Sequence, residues 1–262
     1  METEPAILYT RMEQDGAAWA EISLNRPEKG NALTIPMIER LAALATTIEA
    51  DGSLRAVVIR GRGRFFCTGG DIAAWGALSP REMARDWILP GIQAFGRIAS
   101  LPQPVIAALS GHALGGGLEL ALAADLRIAV RSARLGVPEA ALGVIPGWMG
   151  VGRLAETIGV ARARHMALLG LAITAAQALD WGLVTAVAED DADLEAQLGA
   201  WLGKLCTNAP ASMALIKGIL GAMHGDSRHH HSSAVAEAAG TEDCREGVRA
   251  FLEKRKPVFR NR

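Results

Sequence analysis

From Val105 to Asp125 the chain is mostly apolar and about as long as a helix that crosses a bilayer. Ser110, His112, Glu119 and the glycines at 111, 115, 116 and 117 break this run in its middle. The run therefore reads as a buried strand, a glycine turn and a buried helix rather than as a membrane span. A short apolar strand followed by a helix is the unit of an α/β fold.

The unit recurs. Residues 6–12 and 17–24 read as a hairpin around Asp15-Gly16. From Pro36 to Ala50, Ile38, Leu41, Leu44 and Ile48 fall at helical spacing, and Asp51-Gly52 closes the segment. Residues 56–60 form a β-branched strand, 61–70 a glycine-rich loop and 80–99 a helix. Residues 104–110 and 126–130 are further strands, and the helix after Gly115–Gly117 ends near Ala124. The alternation indicates an α/β domain built from crossover units. Beyond residue 150 strand signals fade, apart from 183–188. Helices are predicted over 151–169, 174–181, 192–207, 210–223 and 242–254. Residues 1–200 are thus read as an α/β core and 201–262 as a helical C-terminal region.

With 27 basic and 28 acidic residues the net charge is −1, so bulk attraction to nucleic acid is not expected and an anionic ligand must meet local cations. The three cysteines, Cys67, Cys206 and Cys244, show no CxxC spacing and are odd in number, which points to a reducing cytosol. The acidic Met-Glu-Thr-Glu-Pro start resembles neither a secretory signal nor a transit peptide.

Two glycine turns and two carboxylates carry the chemistry. Gly111-His-Ala-Leu-Gly-Gly-Gly-Leu-Glu119 places backbone N–H groups at the start of a helix, where no Cβ blocks a ligand. The loop from Gly61 to Asp71 offers a second donor at Gly70. N–H groups of Gly70 and Gly116 aimed at one carbonyl oxygen would stabilise an enolate. Glu119 lies near the start of an apolar helix, where a carboxylate needs a partner or a raised pKa. Glu139 follows Gly136-Val-Pro. A backbone anion hole with two carboxylates is sufficient to add or remove water beside a carbonyl.

Other motifs fit less well. Gly115-Gly-Gly-Leu-Glu lacks the Lys and Ser/Thr of a phosphate-binding P-loop, and no GxGxxG follows the first strand. Nothing marks Cys67 as a low-pKa nucleophile with His112 as its base. His229-His230-His231 sits in a polar stretch that reads as a solvated loop, and no metal is expected. The basic cluster from Phe251 to Arg260 could bind phosphates but reads more simply as a solvated helix end, where cations complement the dipole.

Taken in order, several motifs resemble the crotonase (enoyl-CoA hydratase/isomerase) superfamily over nearly the whole chain. They are Leu24-Asn-Arg-Pro-Glu-Lys-Gly-Asn-Ala-Leu33, Phe66-Cys-Thr-Gly-Gly-Asp-Ile72, Gly111–Leu120, Leu135-Gly-Val-Pro-Glu139 and Leu142-Gly-Val-Ile-Pro-Gly147, followed by residues 175–184 and 246–257. The resemblance implies a spiral of ββα units with a helical trimerisation region, assembled as a trimer or a dimer of trimers. It implies an acyl-CoA thioester substrate, with CoA as part of the substrate and no separate cofactor, and a place in fatty acid metabolism in the cytoplasm. It puts the oxyanion hole on Gly70 and Gly116. Glu119 would take a proton from water and Glu139 would deliver one to Cα. Substrate contacts would come from Lys29, Ala32, Thr68, Gly69, Asp71, Ile72, Gly115, Gly147, Trp148 and Lys254.

Relatives commonly carry small residues after the Pro-Gly, whereas here the run is Gly147-Trp148-Met149-Gly150. The two bulky side chains are expected to narrow the acyl pocket or to shift Glu139. The leading reading is an enoyl-CoA hydratase. Δ3,Δ2-enoyl-CoA isomerisation, hydration of a non-fatty acyl-CoA and a non-catalytic acyl-CoA-binding subunit stand as alternatives.

Overall fold

Two antiparallel strands open the chain, β1 (Ile7–Gln14) and β2 (Ala17–Leu24), with Ile7 opposite Leu24. Gly16 turns between them at φ 77°, in the left-handed region that favours glycine. The computed structural model describes residues 4–14, 16–221 and 241–260. Asp15 and the three histidines at 229–231 lie outside the described residues.

Helix α1 (Ile35–Ala50) buries Met37, Ile38, Leu41, Leu44, Ala45 and Ile48, the stripe that its spacing predicts. It leads into β3 (Leu54–Gly61). This strand is followed by β5 (Val105–Leu109), β7 (Leu126–Val130) and β10 (Ala186–Ala188) in a six-stranded sheet ordered β1-β2-β3-β5-β7-β10. From β2 to β10 the pairs are parallel. Every residue of β5 is buried, as a strand covered on both faces requires.

Each of the central strands is followed by a shorter one in a second sheet. This sheet is ordered β4 (Phe65–Cys67), β6 (His112–Leu114), β8 (Arg134–Gly136), β9 (Ala172–Thr174). After β4 come α2 (Ile72–Trp75), α3 (Pro80–Glu82), a π-helical turn at Met83–Ile88 and α4 (Leu89–Ser100). After β6 comes α5 (Gly116–Ala121). After β8 a 3-10 turn (Pro138–Leu142) leads to α6 (Gly150–Ile158) and α7 (Val160–Leu169). This is the expected ββα repeat. The close contact of the two layers depends on Gly117, where a methyl group would lie 2.2 Å from the Cys67 carbonyl oxygen.

Two predicted helices are interrupted. The segment 80–99 contains the π turn, and 151–169 breaks at Gly159, whose φ is 80°. Helix α8 (Ala175–Asp180) precedes β10. Helix α9 (Asp191–Thr207) buries Leu194, Leu198 and Leu202, so residue 200, taken above as the end of the core, lies within a helix that still contributes to it. Helix α10 (Pro210–Gly221) is tied back by Lys217, which pairs with Asp125 at 2.7 Å and donates to the Gln103 carbonyl at 3.1 Å. Helix α11 (Glu242–Leu252) follows. Among the described residues no helix is long and apolar enough to cross a membrane.

Candidate active site

Strands β4, β6 and β8 lie side by side and run in the same direction, so their carboxyl ends open at one place. Ligands in parallel α/β sheets are commonly met at such ends. The loop after β4 brings Gly70, the turn after β6 brings Gly115 and Gly116, and the 3-10 turn after β8 brings Glu139. Gly115 donates to the Gly136 carbonyl at 2.9 Å, which joins the second and third of these segments. The first and second touch as well, since a methyl group at Gly69 would lie 3.4 Å from the Gly116 nitrogen.

Among the described residues neither expected donor has a backbone acceptor outside its own element. Leu33 donates to the Gly69 carbonyl and Asp71 to the Leu33 carbonyl, 2.8 Å each, and this bridge passes over the Gly70 N–H. Gly116 is the first residue of α5, where a helix supplies its N–H with no internal acceptor. Gly70 and Gly116 both line a cavity of about 510 Å³.

Thr68, Gly69, Gly70, Ile72, Gly115, Gly116, Glu119, Glu139, Gly147 and Trp148 all line that cavity. Lys29, Ala32, Asp71 and Lys254 do not. Lys29 is exposed at the end of the 3-10 turn Pro27–Lys29, beside the Gly30 carbonyl that accepts from Thr68 at 3.0 Å. The Ala32 carbonyl accepts from Arg26 at 2.7 Å. Asp71 pairs with Arg26 at 3.0 Å and caps α2 through Ala73, so its carboxylate holds the loop instead of facing the cavity. Lys254 is exposed after α11.

The two carboxylates share the cavity but not their surroundings. Oε1 of Glu119 accepts from the Trp148 and Gly150 N–H groups, both at 2.7 Å. Burial raises the Glu119 pKa, while the Gly150, Trp148 and Gly147 N–H groups and the Arg153 guanidinium favour its ionised form. Glu139 has no such set of donors, and its buried Oε2 lacks a hydrogen-bond partner. Burial, aided by the charge of Glu119, lifts its pKa to about 7. A carboxylate propped by N–H donors suits a base, and a neighbour whose pKa is lifted towards neutrality suits an acid. Of the two bulky residues, Trp148 lines the cavity and its backbone N–H also holds Glu119.

This arrangement has a cost in stability. Glu139 holds its proton to a higher pH when folded than the 4.5 of an ordinary glutamate, so stability is lost as pH rises from about 4.5 through about 7. The Glu139→Gln variant is expected to melt above the wild type at about pH 8, with the gap closing below about pH 4.5, as calorimetry at several pH values would show. A gap independent of pH would rule out this origin.

The loop that holds Glu119 is strained. Met149 has φ 69°, a left-handed conformation that costs an L-residue about 1–2 kcal/mol, and its side chain is exposed. Met149→Gly is expected to stabilise the protein by about 0.5–1 kcal/mol in chemical denaturation. A loss of stability would mean that the side chain contributes packing.

Three features escape a reading of residue types. The π turn at Met83–Ile88 carries Met83, Trp87 and Ile88 into the cavity wall, and such turns are frequent at functional sites. The N–H donors to Glu119 are backbone groups. Arg153 acts on Glu119 from α6 and donates to the Trp148 carbonyl at 3.3 Å. Cys67 is not an alternative nucleophile. Its thiol donates to the Asn31 carbonyl at 3.1 Å, and burial pushes its pKa up to about 12. His112 accepts from the Arg134 N–H instead, through Nδ1.

Comparisons with known proteins agree with this geometry. The family model described as enoyl-CoA hydratase/isomerase matches residues 14–262. A protein of Bacillus subtilis named probable enoyl-CoA hydratase is 38% identical over 245 residues, covering 92% of this chain and 95% of its own. The mevalonyl-coenzyme A hydratase of Beauveria bassiana is 35% identical over 259 residues, covering 92% and 90%. The crystal structure of an enoyl-CoA hydratase from Bacillus anthracis superposes with a TM-score of 0.92 at 33% identity, covering 98% of this chain and 100% of that one.

Proposed function

The chain belongs to the enoyl-CoA hydratase/isomerase family, and we propose that within it the protein is an enoyl-CoA hydratase, adding water across the 2,3 double bond of a 2-enoyl-CoA thioester. The observation that carries this reading is the pair Glu119 and Glu139 in one cavity, the first held by the Trp148 and Gly150 N–H groups and the second with a buried Oε2 that has no hydrogen-bond partner. Isomerisation moves a proton between carbons of one substrate and needs one base. Hydration needs a base for water and an acid for Cα.

The thioester oxygen sits on the N–H groups of Gly70 and Gly116. Ionised Glu119 takes a proton from water as the water oxygen bonds to Cβ. The electron pair of the double bond moves towards the thioester, and the enolate charge falls on the two N–H groups. Protonated Glu139 then gives its proton to Cα. The pair ends with one proton, as it began, now on Glu119. CoA is part of the substrate and no separate cofactor takes part. Lys29 and the 66–72 loop meet the nucleotide end, with Lys254 as a further phosphate contact, supplied by a neighbouring subunit.

The same reading extends to assembly and setting. Val160, Leu168 and Leu169 leave an exposed apolar surface on α7. It supports a homotrimer or a dimer of trimers, with residues 201–262 as a trimerisation region. The cytoplasm and fatty acid metabolism complete the reading.

The test is the ultraviolet absorbance of the enoyl thioester on mixing the protein with crotonyl-CoA. Its loss supports hydration. Tight binding without loss favours a different acyl group or a binding subunit.

A further inference from the structure

The cavity has an open end and a closed one. Ile72, Leu142 and Ile145 stand at its mouth, where Ile145 is 82% exposed. Trp87 and Trp148 stand at the other end, and Trp148 is only 3% exposed. Behind Trp148 lies Phe95 of α4, fully buried. The indole of Trp148 is therefore the surface that separates the cavity from the core.

That indole is held on every side. Its ring centroid is 5.0 Å from that of Trp87 and 5.2 Å from that of Phe95, edge-on to the latter. Its Nε1 donates to the Trp87 carbonyl at 3.2 Å. Two helices face it with glycine. A methyl group at Gly91 of α4 would lie 2.2 Å from the indole nitrogen, and one at Gly116 of α5 would lie 2.3 Å from Cζ3. A slot of this kind leaves the ring one rotamer and no room to swing aside.

Building on the hydratase reading, we propose that Trp148 is the specificity-determining floor of the acyl pocket. It stops the acyl chain a short way beyond the reacting carbons, so short 2-enoyl groups are accepted and long straight-chain ones are rejected. The floor is coupled to the chemistry. The backbone N–H of the same residue holds Glu119 at 2.7 Å, so a chain that forced the indole aside would also draw away a donor from the carboxylate that activates water. Long chains then lose in turnover as well as in binding.

The first measurement uses the wild-type protein and unreactive ligands. Butanoyl-CoA and dodecanoyl-CoA are titrated into it by calorimetry, and the short ester is expected to bind at least about tenfold more tightly. The second compares kcat/KM for crotonyl-CoA and 2-dodecenoyl-CoA in the wild type, Trp148→Ala and Trp148→Leu. Both variants keep the backbone N–H and are expected to shift the ratio towards the long substrate by about tenfold or more. Equal binding of the two saturated esters to the wild type overturns the proposal, whether or not the variants fold. So does a ratio unchanged in a folded variant. A wild type that prefers the short ester but hydrates neither substrate overturns the hydratase reading and leaves the floor in place. One that hydrates both equally does the reverse.

Discussion

Glu119→Gln is expected to lower kcat/KM for crotonyl-CoA by about a thousandfold while leaving the fold unchanged, because the amide keeps the geometry and loses only the base. The Gln carbonyl oxygen can still accept from the Trp148 and Gly150 N–H groups that now hold Oε1. The cost of leaving those buried donors unpaired is thus avoided, and the loss reports on proton transfer. Glu139→Gln removes the proton donor and is expected to cost a similar factor. Steady-state rates with matched circular dichroism spectra would check both. An enzyme that kept much of its rate without Glu119 would be using Glu139 alone, as an isomerase would, and the role of water activation would fall.

Gly150→Ala should also be severe, although it removes no functional group. The added methyl would lie 2.2 Å from Cγ of Glu119 and 2.6 Å from its Oε1. Neither the carboxylate nor the N–H that holds it can keep its place. A displacement of about 1 Å in a catalytic group is enough to cost about a hundredfold in rate. The expected result is a loss of at least that size in kcat, with butanoyl-CoA binding little changed. A variant as active as the wild type would show that the Glu119 position tolerates movement and that the donors at 148 and 150 are not needed.

The large sheet is legible in the sequence because its elements are long enough to show a period. Ile38, Leu41, Leu44 and Ile48 predict the buried face of α1, and the apolar run at 105–109 predicts a strand covered on both faces. The second sheet is not legible. Its strands, such as Phe65–Cys67 and Arg134–Gly136, have three residues each, too few for alternation to register. They are strands because neighbours pair with them, and Gly117 lets α5 approach β4 closely enough for this. Since the site is built at the ends of those strands, the sequence names candidate residues but not why they meet.

The same division runs through the site. The motifs point to Gly70, Gly116, Glu119 and Glu139, and all four line one cavity. Asp71 belongs to the same motif, yet its side chain is engaged by Arg26. The donors that fix Glu119 are main-chain N–H groups, which residue types do not announce. Trp87 reads as one more apolar residue of a helix until the π turn brings it to the cavity. Trp148 is conspicuous in sequence, but its fit depends on Gly91, a residue far away in the chain with no motif around it.

In the hydration proposed above, one carboxylate activates water for Cβ and the other protonates Cα. Labelled solvent tests it most directly. Crotonyl-CoA is incubated with the protein in water carrying heavy oxygen, and separately in deuterium oxide, and the thioester is analysed by mass spectrometry and NMR. The expected product is a 3-hydroxybutanoyl-CoA with heavy oxygen at Cβ and one deuteron at Cα, both absent with Glu119→Gln. Deuterium entering the acyl chain with no oxygen taken up at Cβ would contradict it, and would mean that the two glutamates move protons without adding water.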